Sequence, residues 1–143
     1  MPESGGAAIV HGDYRLDNVL VKADQITAVL DWEMSTLGDP LTDLALFIAY
    51  GQAAAAGLGI GVGTAPGYPS AGEIADRYAR HGHRDVSALP WYIGFAFFKL
   101  AVIAEGIHYR FTKGQTVGAG FERSGASVLP LIALANDALK EQL

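Results

Sequence analysis

The stretch from His11 to Glu33 constrains this chain more than any bulk property. It opens with His11-Gly12-Asp13, places Asn18 five positions after Asp13, and closes on Asp31-Trp32-Glu33. Between them lie two β-branched runs, Asn18–Lys22 and Ile26–Leu30, separated by Ala23-Asp24-Gln25. That pattern predicts a β-hairpin with a three-residue connection. A hairpin brings its two ends together, so Asn18 and Asp31 are expected side by side although thirteen positions separate them. At average residue usage, H-G-D-x4-N turns up in fewer than about one in a thousand chains of this length. Gly38-Asp39-Pro40 and Asp43 follow directly, which makes coincidence still harder to sustain.

Charge sharpens the picture. The chain has ten Lys and Arg against fifteen Asp and Glu, a net charge of −5. Eight of the acids (Glu3, Asp13, Asp17, Asp24, Asp31, Glu33, Asp39 and Asp43) fall within residues 1–43, beside only Arg15 and Lys22. The remaining hundred residues are close to neutral. Such a concentration is either a solvated acidic face or a site that a cation neutralises. No basic face of nucleic-acid-binding size can be built from these counts, so DNA and RNA are not expected partners. There is no cysteine, which excludes disulfides and thiolate chemistry and fits a reducing cytoplasm, the expected location. Half of the residues are hydrophobic, enough for a packed core.

The rest of the chain reads as helices. Asp39-Pro40 looks like an N-cap followed by proline in the first turn, and Leu41, Leu44, Ala45 and Ile48 recur at helical spacing to about Gln52. Ser70-Ala-Gly-Glu73 is a capping box that opens a helix ending near Gly82. Further helices are expected from Ala88 to Phe111, with Pro90 in its first turn, and from Glu122 to Leu143, with a kink at Pro130. Ala8–Val10 reads as a strand end. The Gly/Pro-rich stretch Gly57–Ser70 reads as a mobile loop, and Gly57–Gly63 is a weak phosphate-loop pattern, lacking a following Lys-Ser/Thr. Met1–Gly6 lacks the marks of a signal peptide. The one apolar run, Trp91–Ala104, reads as a buried helix too short to span a bilayer and carrying Lys99; no membrane partner is expected.

A kinase catalytic loop places a base Asp and a metal-ligating Asn at the spacing of Asp13 and Asn18, with a second metal-ligating Asp further on. HGDYRLDNVLV followed by VLDWEMSTLGDPLTDLA resembles the aminoglycoside phosphotransferase/choline kinase-like family, whose fold is protein-kinase-like. WYIGFAFFKLAVIAEGIHYRFTKGQ is similar to the subgroup related to kinase-like domains joined to acyl-CoA dehydrogenases. The resemblance implies an α+β, mostly α chain over residues 1–143: the C-terminal lobe of that fold, with a catalytic loop, a β-hairpin and about four helices. It implies ATP-dependent transfer of a phosphoryl group to a hydroxyl. Asp13 would be the catalytic base, and Asn18 and Asp31 would hold Mg²⁺ and through it the nucleotide. Asp43 would brace the loop from the following helix, and Gly12 in place of the protein-kinase Arg implies a small-molecule alcohol as acceptor. His11 is expected to tie the loop to neighbouring backbone.

Several residues carry two readings. Asp13, Asn18 and Asp31 would each suit an ordinary turn if taken singly. Arg15 either contacts phosphate or substrate or pairs with Asp17. Glu33 either assists the metal or caps a loop. His81-x-His83 lacks a third ligand and reads as a solvated helix end. Of the aromatic cluster in 91–98, Trp91 and Tyr92 are candidate substrate contacts. A Gly-rich loop, a strand Lys and a hinge lie before the catalytic loop in kinases, and the ten residues before His11 do not supply them. The expected nucleotide site is therefore incomplete and the chain inactive alone. The competing expectations are a non-catalytic remnant or interaction module of the same fold, and a Mg²⁺-dependent phosphohydrolase. Without the helices that normally precede the loop, Leu44–Tyr50 and Phe95–Ile103 are expected to be partly exposed and to favour self-association.

Overall fold

The computed structural model describes residues 2, 6–58 and 65–140. Four short strands come first: β1 (Ala8–Val10), β2 (Val19–Lys22), β3 (Gln25–Val29) and β4 (Thr36–Gly38). Four helices follow: α1 (Leu41–Ala55), α2 (Ala71–Gly82), α3 (Leu89–Thr112) and α4 (Ser124–Lys140). Single 3₁₀ turns cover Leu16–Asn18, Trp32–Met34 and Phe121–Arg123. The chain is thus α+β and mostly α, as the sequence predicts. Gly59–Gly63 of the weak phosphate-loop pattern lies outside the described residues.

Two strand pairs frame the loop between them. β2 and β3 pair antiparallel with Lys22 opposite Gln25, so the turn has two residues, Ala23 and Asp24, and not the three expected. Both lie in the left-handed region, with φ of 49° and 62°, the twist that matches right-handed strands. The register slips by one between Leu20 and Val21. Thr27 is the extra residue, and its hydroxyl donates to the Leu20 carbonyl at 3.2 Å. The second pair was not apparent in the sequence: β1 runs antiparallel to β4 with Ile9 opposite Leu37. It holds the start of the catalytic-type loop next to the start of α1. Three-residue strands carry too little periodicity to be read from sequence alone.

The helices build the core. Asp39 accepts the Leu41 N–H at 2.9 Å, satisfying an orphan donor where Pro40 has none to offer. Ser70 and Glu73 form the expected reciprocal box, with Glu73 N–H donating to the Ser70 hydroxyl at 3.2 Å and Ser70 N–H to the Glu73 carboxylate at 2.8 Å. α4 runs on through Pro130. α3 is the central element, packed against both α1 and α4. Gly94 permits the close approach of α4: a Cβ there would lie 2.9 Å from Leu139 Cγ and 3.1 Å from the Ala135 carbonyl oxygen.

Two expectations need correction. Within Leu44–Tyr50, Leu44, Ala45, Leu46, Ile48 and Ala49 are buried in the core that α1 shares with α3 and α4, and Phe47 and Tyr50 are half-buried. Of the two stretches expected to be partly exposed, the one on α3 is, at Phe95, Phe98, Val102 and Ile103 (41–55% exposed). The apolar run is also longer than Trp91–Ala104. α3 has 24 residues, long and apolar enough by length and composition to cross a membrane, although seven of them are buried in this structure.

Candidate active site

The loop from His11 to Asn18 is held from several directions by hydrogen bonds. Asp43, in the first turn of α1, accepts the His11 N–H at 2.6 Å and the Gly12 N–H at 2.9 Å. One carboxylate thus anchors two successive peptides, and the helix N-terminus behind it favours the negative charge. His11 is only 2% exposed. Its Nε2 lies 2.7 Å from the Leu30 carbonyl, which can only accept, so Nε2 carries the proton. Nδ1 is then the acceptor for the Asp13 N–H at 3.3 Å. The imidazole also packs against Trp32, ring centroids 4.7 Å apart. In this tautomer both ring nitrogens are engaged by the protein.

Gly12 sits at φ +83°, and a Cβ there would come within 2.6 Å of the Met34 carbonyl oxygen. Only glycine satisfies both constraints. Its own carbonyl accepts from Lys99 Nζ at 2.5 Å.

These bonds fix Asp13, which is half-buried. Its Oδ1 accepts a hydrogen bond from the Tyr50 hydroxyl at 2.6 Å. Its Oδ2 accepts from Asn18 Nδ2 at 3.2 Å, and the same Nδ2 donates to the Asp13 main-chain carbonyl at 2.9 Å. Burial, reinforced by the Asp13 carboxylate, pushes the Tyr50 phenol up to about 12, so at neutral pH it keeps its proton and donates the hydrogen bond. Arg15 lies over the Tyr50 ring, 5.2 Å from its centroid, and pairs with Asp17.

At the open end of the hairpin Asn18 lies opposite Leu30, the residue before Asp31. The Leu30 N–H donates to the Asn18 carbonyl at 2.8 Å, which puts Asp31 next to Asn18. With Nδ2 committed to Asp13, the side-chain oxygen of Asn18 is the atom left for a cation. Asp31 is exposed, left-handed at φ 64°, and its carboxylate gives no cap bond to the 3₁₀ turn it precedes. An amide oxygen beside a carboxylate suits the hard-oxygen preference of Mg²⁺. Among the described residues no group of three or more His, Cys, Asp or Glu could hold a metal, so such an ion would depend on phosphate and water for its other ligands. Glu33 is exposed in the adjoining turn.

Other expected positions resolve differently. Tyr92 is 8% exposed and its hydroxyl bonds Asp39, which removes it as a substrate contact; Trp91 stacks on Phe95. His81 Nδ1 lies 2.8 Å from the Arg77 carbonyl, and His83 caps the end of α2. A groove of about 990 Å³ opens between α2 and the loop side of α1, lined by Tyr14, Asp43, Phe47, Ile74 and Arg77 among others. Asp13, Asn18 and Asp31 do not line it. Two site residues escaped the sequence reading. Tyr50 entered that reading only as the end of Leu44–Tyr50, a stretch expected to be partly exposed. Lys99 had a signal, as the lone charge in 91–104, but not a partner.

Comparison with known proteins places this geometry. Residues 1–81 match the model of the family described as "Phosphotransferase enzyme family". A crystal structure from Ralstonia eutropha assigned as an aminoglycoside phosphotransferase superposes with a TM-score of 0.79 and 30% sequence identity, over 94% of this chain and 43% of that one. Acyl-CoA dehydrogenase family member 10 of Mus musculus is 33% identical over 96% of this chain, and family member 11 of Rattus norvegicus 34% over 92%. The chain spans 14% and 18% of the length of those two relatives.

Proposed function

The chain belongs to the phosphotransferase enzyme family, and on that premise we propose that it carries the acceptor side of an ATP-dependent, Mg²⁺-requiring transfer of a γ-phosphoryl group to the hydroxyl of a small-molecule alcohol in the cytoplasm. One observation carries this reading: the Asp13 carboxylate is clamped by Asn18 and already accepts a hydrogen bond from a hydroxyl, that of Tyr50, at 2.6 Å. In the reaction an acceptor hydroxyl would take the place of that phenol. Asp13 accepts its proton as the acceptor oxygen bonds to the γ-phosphorus and the bond to the β-phosphate oxygen breaks, releasing ADP. His11 and Asp43 keep the loop backbone in register, so little reorganisation is left for the moment of transfer. Asn18 and Asp31 are the residues that would hold Mg²⁺. When bound, the ion neutralises charge on the phosphates. Arg15, which pairs with Asp17 and lies over the Tyr50 ring, is assigned a contact to phosphate or substrate.

Residues 1–10 do not supply a Gly-rich strand pair or its lysine, so transfer is assigned to this chain together with a nucleotide-binding lobe. The test is product analysis with γ-labelled ATP, Mg²⁺ and a panel of alcohols. It uses this chain alone and extended by any sequence encoded in frame upstream of Met1. Label appearing on an alcohol, and lost in Asp13→Ala, supports transfer. Label appearing only as inorganic phosphate would replace transfer by hydrolysis. No label movement in either form would leave the non-catalytic module as the better reading.

A further inference from the structure

Lys99 is the one charge in fourteen residues of apolar α3, and a cation placed there is costly unless an acceptor meets it. Its partner lies 87 positions away: Nζ is 2.5 Å from the Gly12 carbonyl oxygen. Lys99 makes no ion pair among the described residues, so its charge is directed at the loop. The contact falls at the loop's most pliable point. With no Cβ and φ at +83°, Gly12 does little by itself to prevent its following peptide from turning over. That peptide joins Gly12 to Asp13. Its carbonyl is held by Lys99 and its N–H by His11 Nδ1, so both ends are tied. Turning it would break both of these bonds and leave the backbone that carries the Asp13 carboxylate without its brace.

We propose that Lys99 is a positioning residue for phosphoryl transfer: its ammonium locks the Gly12–Asp13 peptide and thereby aims the Asp13 carboxylate at the acceptor hydroxyl. This rests on the role given to Asp13 above. A hydrogen bond from a charged donor is about twice as strong as a neutral one, which suits a clamp on a glycine hinge better than an amide or hydroxyl would. The burial of the lysine stem along α3 explains how the charge reaches the loop from a helix otherwise committed to the core.

The absence of cysteine makes a clean test available. Lys99→Met removes the charge and keeps the apolar stem. Lys99→Cys places a single thiol, which 2-bromoethylamine converts into a thioether bearing an ammonium at the length of lysine. Amide NMR of the 143-residue chain reads the loop directly. The Gly12 and Asp13 signals should move or broaden in Lys99→Met and in unmodified Lys99→Cys, while those of α2 stay in place, and aminoethylation should restore them. In whichever form the transfer assay finds active, kcat should fall at least tenfold in Lys99→Met with the nucleotide KM unchanged. Aminoethylated Lys99→Cys should recover most of it. Unmoved Gly12 and Asp13 signals would overturn the proposal, and so would moved signals with a wild-type kcat. Absence of transfer by the unsubstituted protein would overturn the reading of Asp13 on which the proposal depends. That failure is told apart because the amide signals are read without turnover.

Discussion

The helical core and the loop at residues 11–18 are held by opposite means. In α1, Leu46 and Ile48 are almost wholly buried, as is Phe97 in α3, and the three belong to one apolar core. Such packing is apolar and non-directional, and it tolerates side chains of similar volume. In the loop, His11 is buried and yet polar, and each of its hydrogen-bonding groups named above has one partner at one angle. The neighbouring hairpin adds little shelter, since Val21 and Ile26 are about 60% exposed. A region held by burial resists through area, whereas a region held by directed bonds resists only while every partner stays in place. The molecule therefore stores stability in one half and geometry in the other.

That contrast can be broken in order of effect. Asp13→Ala is expected to lower transfer by about a hundredfold to ten-thousandfold with helix content and unfolding midpoint unchanged, because the carboxylate serves chemistry more than packing. A stability loss as large as the activity loss would erase the distinction. Leu131→Ala on α4 is the converse. Leu131 is 4% exposed, so truncation should cost about 2–5 kcal/mol in urea unfolding while kcat of the folded fraction holds.

Gly12→Ala should cross the divide. Its Cβ would press on the Met34 backbone at a φ that L-residues avoid. About 1–3 kcal/mol of strain is expected, together with a fall in transfer larger than that stability loss implies. Unchanged transfer would show the loop to be softer than its bonds suggest.

The smallest effect is in pH. The Tyr50 phenol is raised from 10 to about 12 in the fold, so the protonated form is favoured by folding. The stability it lends is complete below pH 10 and is lost as pH rises towards 12. Tyr50→Phe should flatten the decline in urea midpoint across that window. An identical decline in both proteins would assign it to other groups.

The spacing of Asp13, Asn18 and Asp31, the capping box at Ser70 and the four helices were legible because each is a local pattern written into consecutive residues. Ala8–Val10 was legible as a strand, but its partner Thr36–Gly38 was not, since three residues cannot display a period. The turn at Ala23-Asp24 was misread by one residue because a register slip at Thr27 changes which residues face each other. The burial of Leu44, Ala45, Leu46, Ile48 and Ala49 could not be foreseen, because it depends on how the helices come to pack.

By itself the sequence determined the chemistry available to this protein: an acidic N-terminal third, a hairpin that brings Asn18 to Asp31, and a family likeness resting on those residues. Only the tertiary structure decided how Asp13 is held, with Tyr50 reaching it from α1 and Lys99 reaching its neighbouring peptide from α3. The physical reason is range. Helical and hairpin periodicities act over a few residues, whereas a contact between positions 12 and 99 exists only after the helices have packed, and nothing local in either segment names the other.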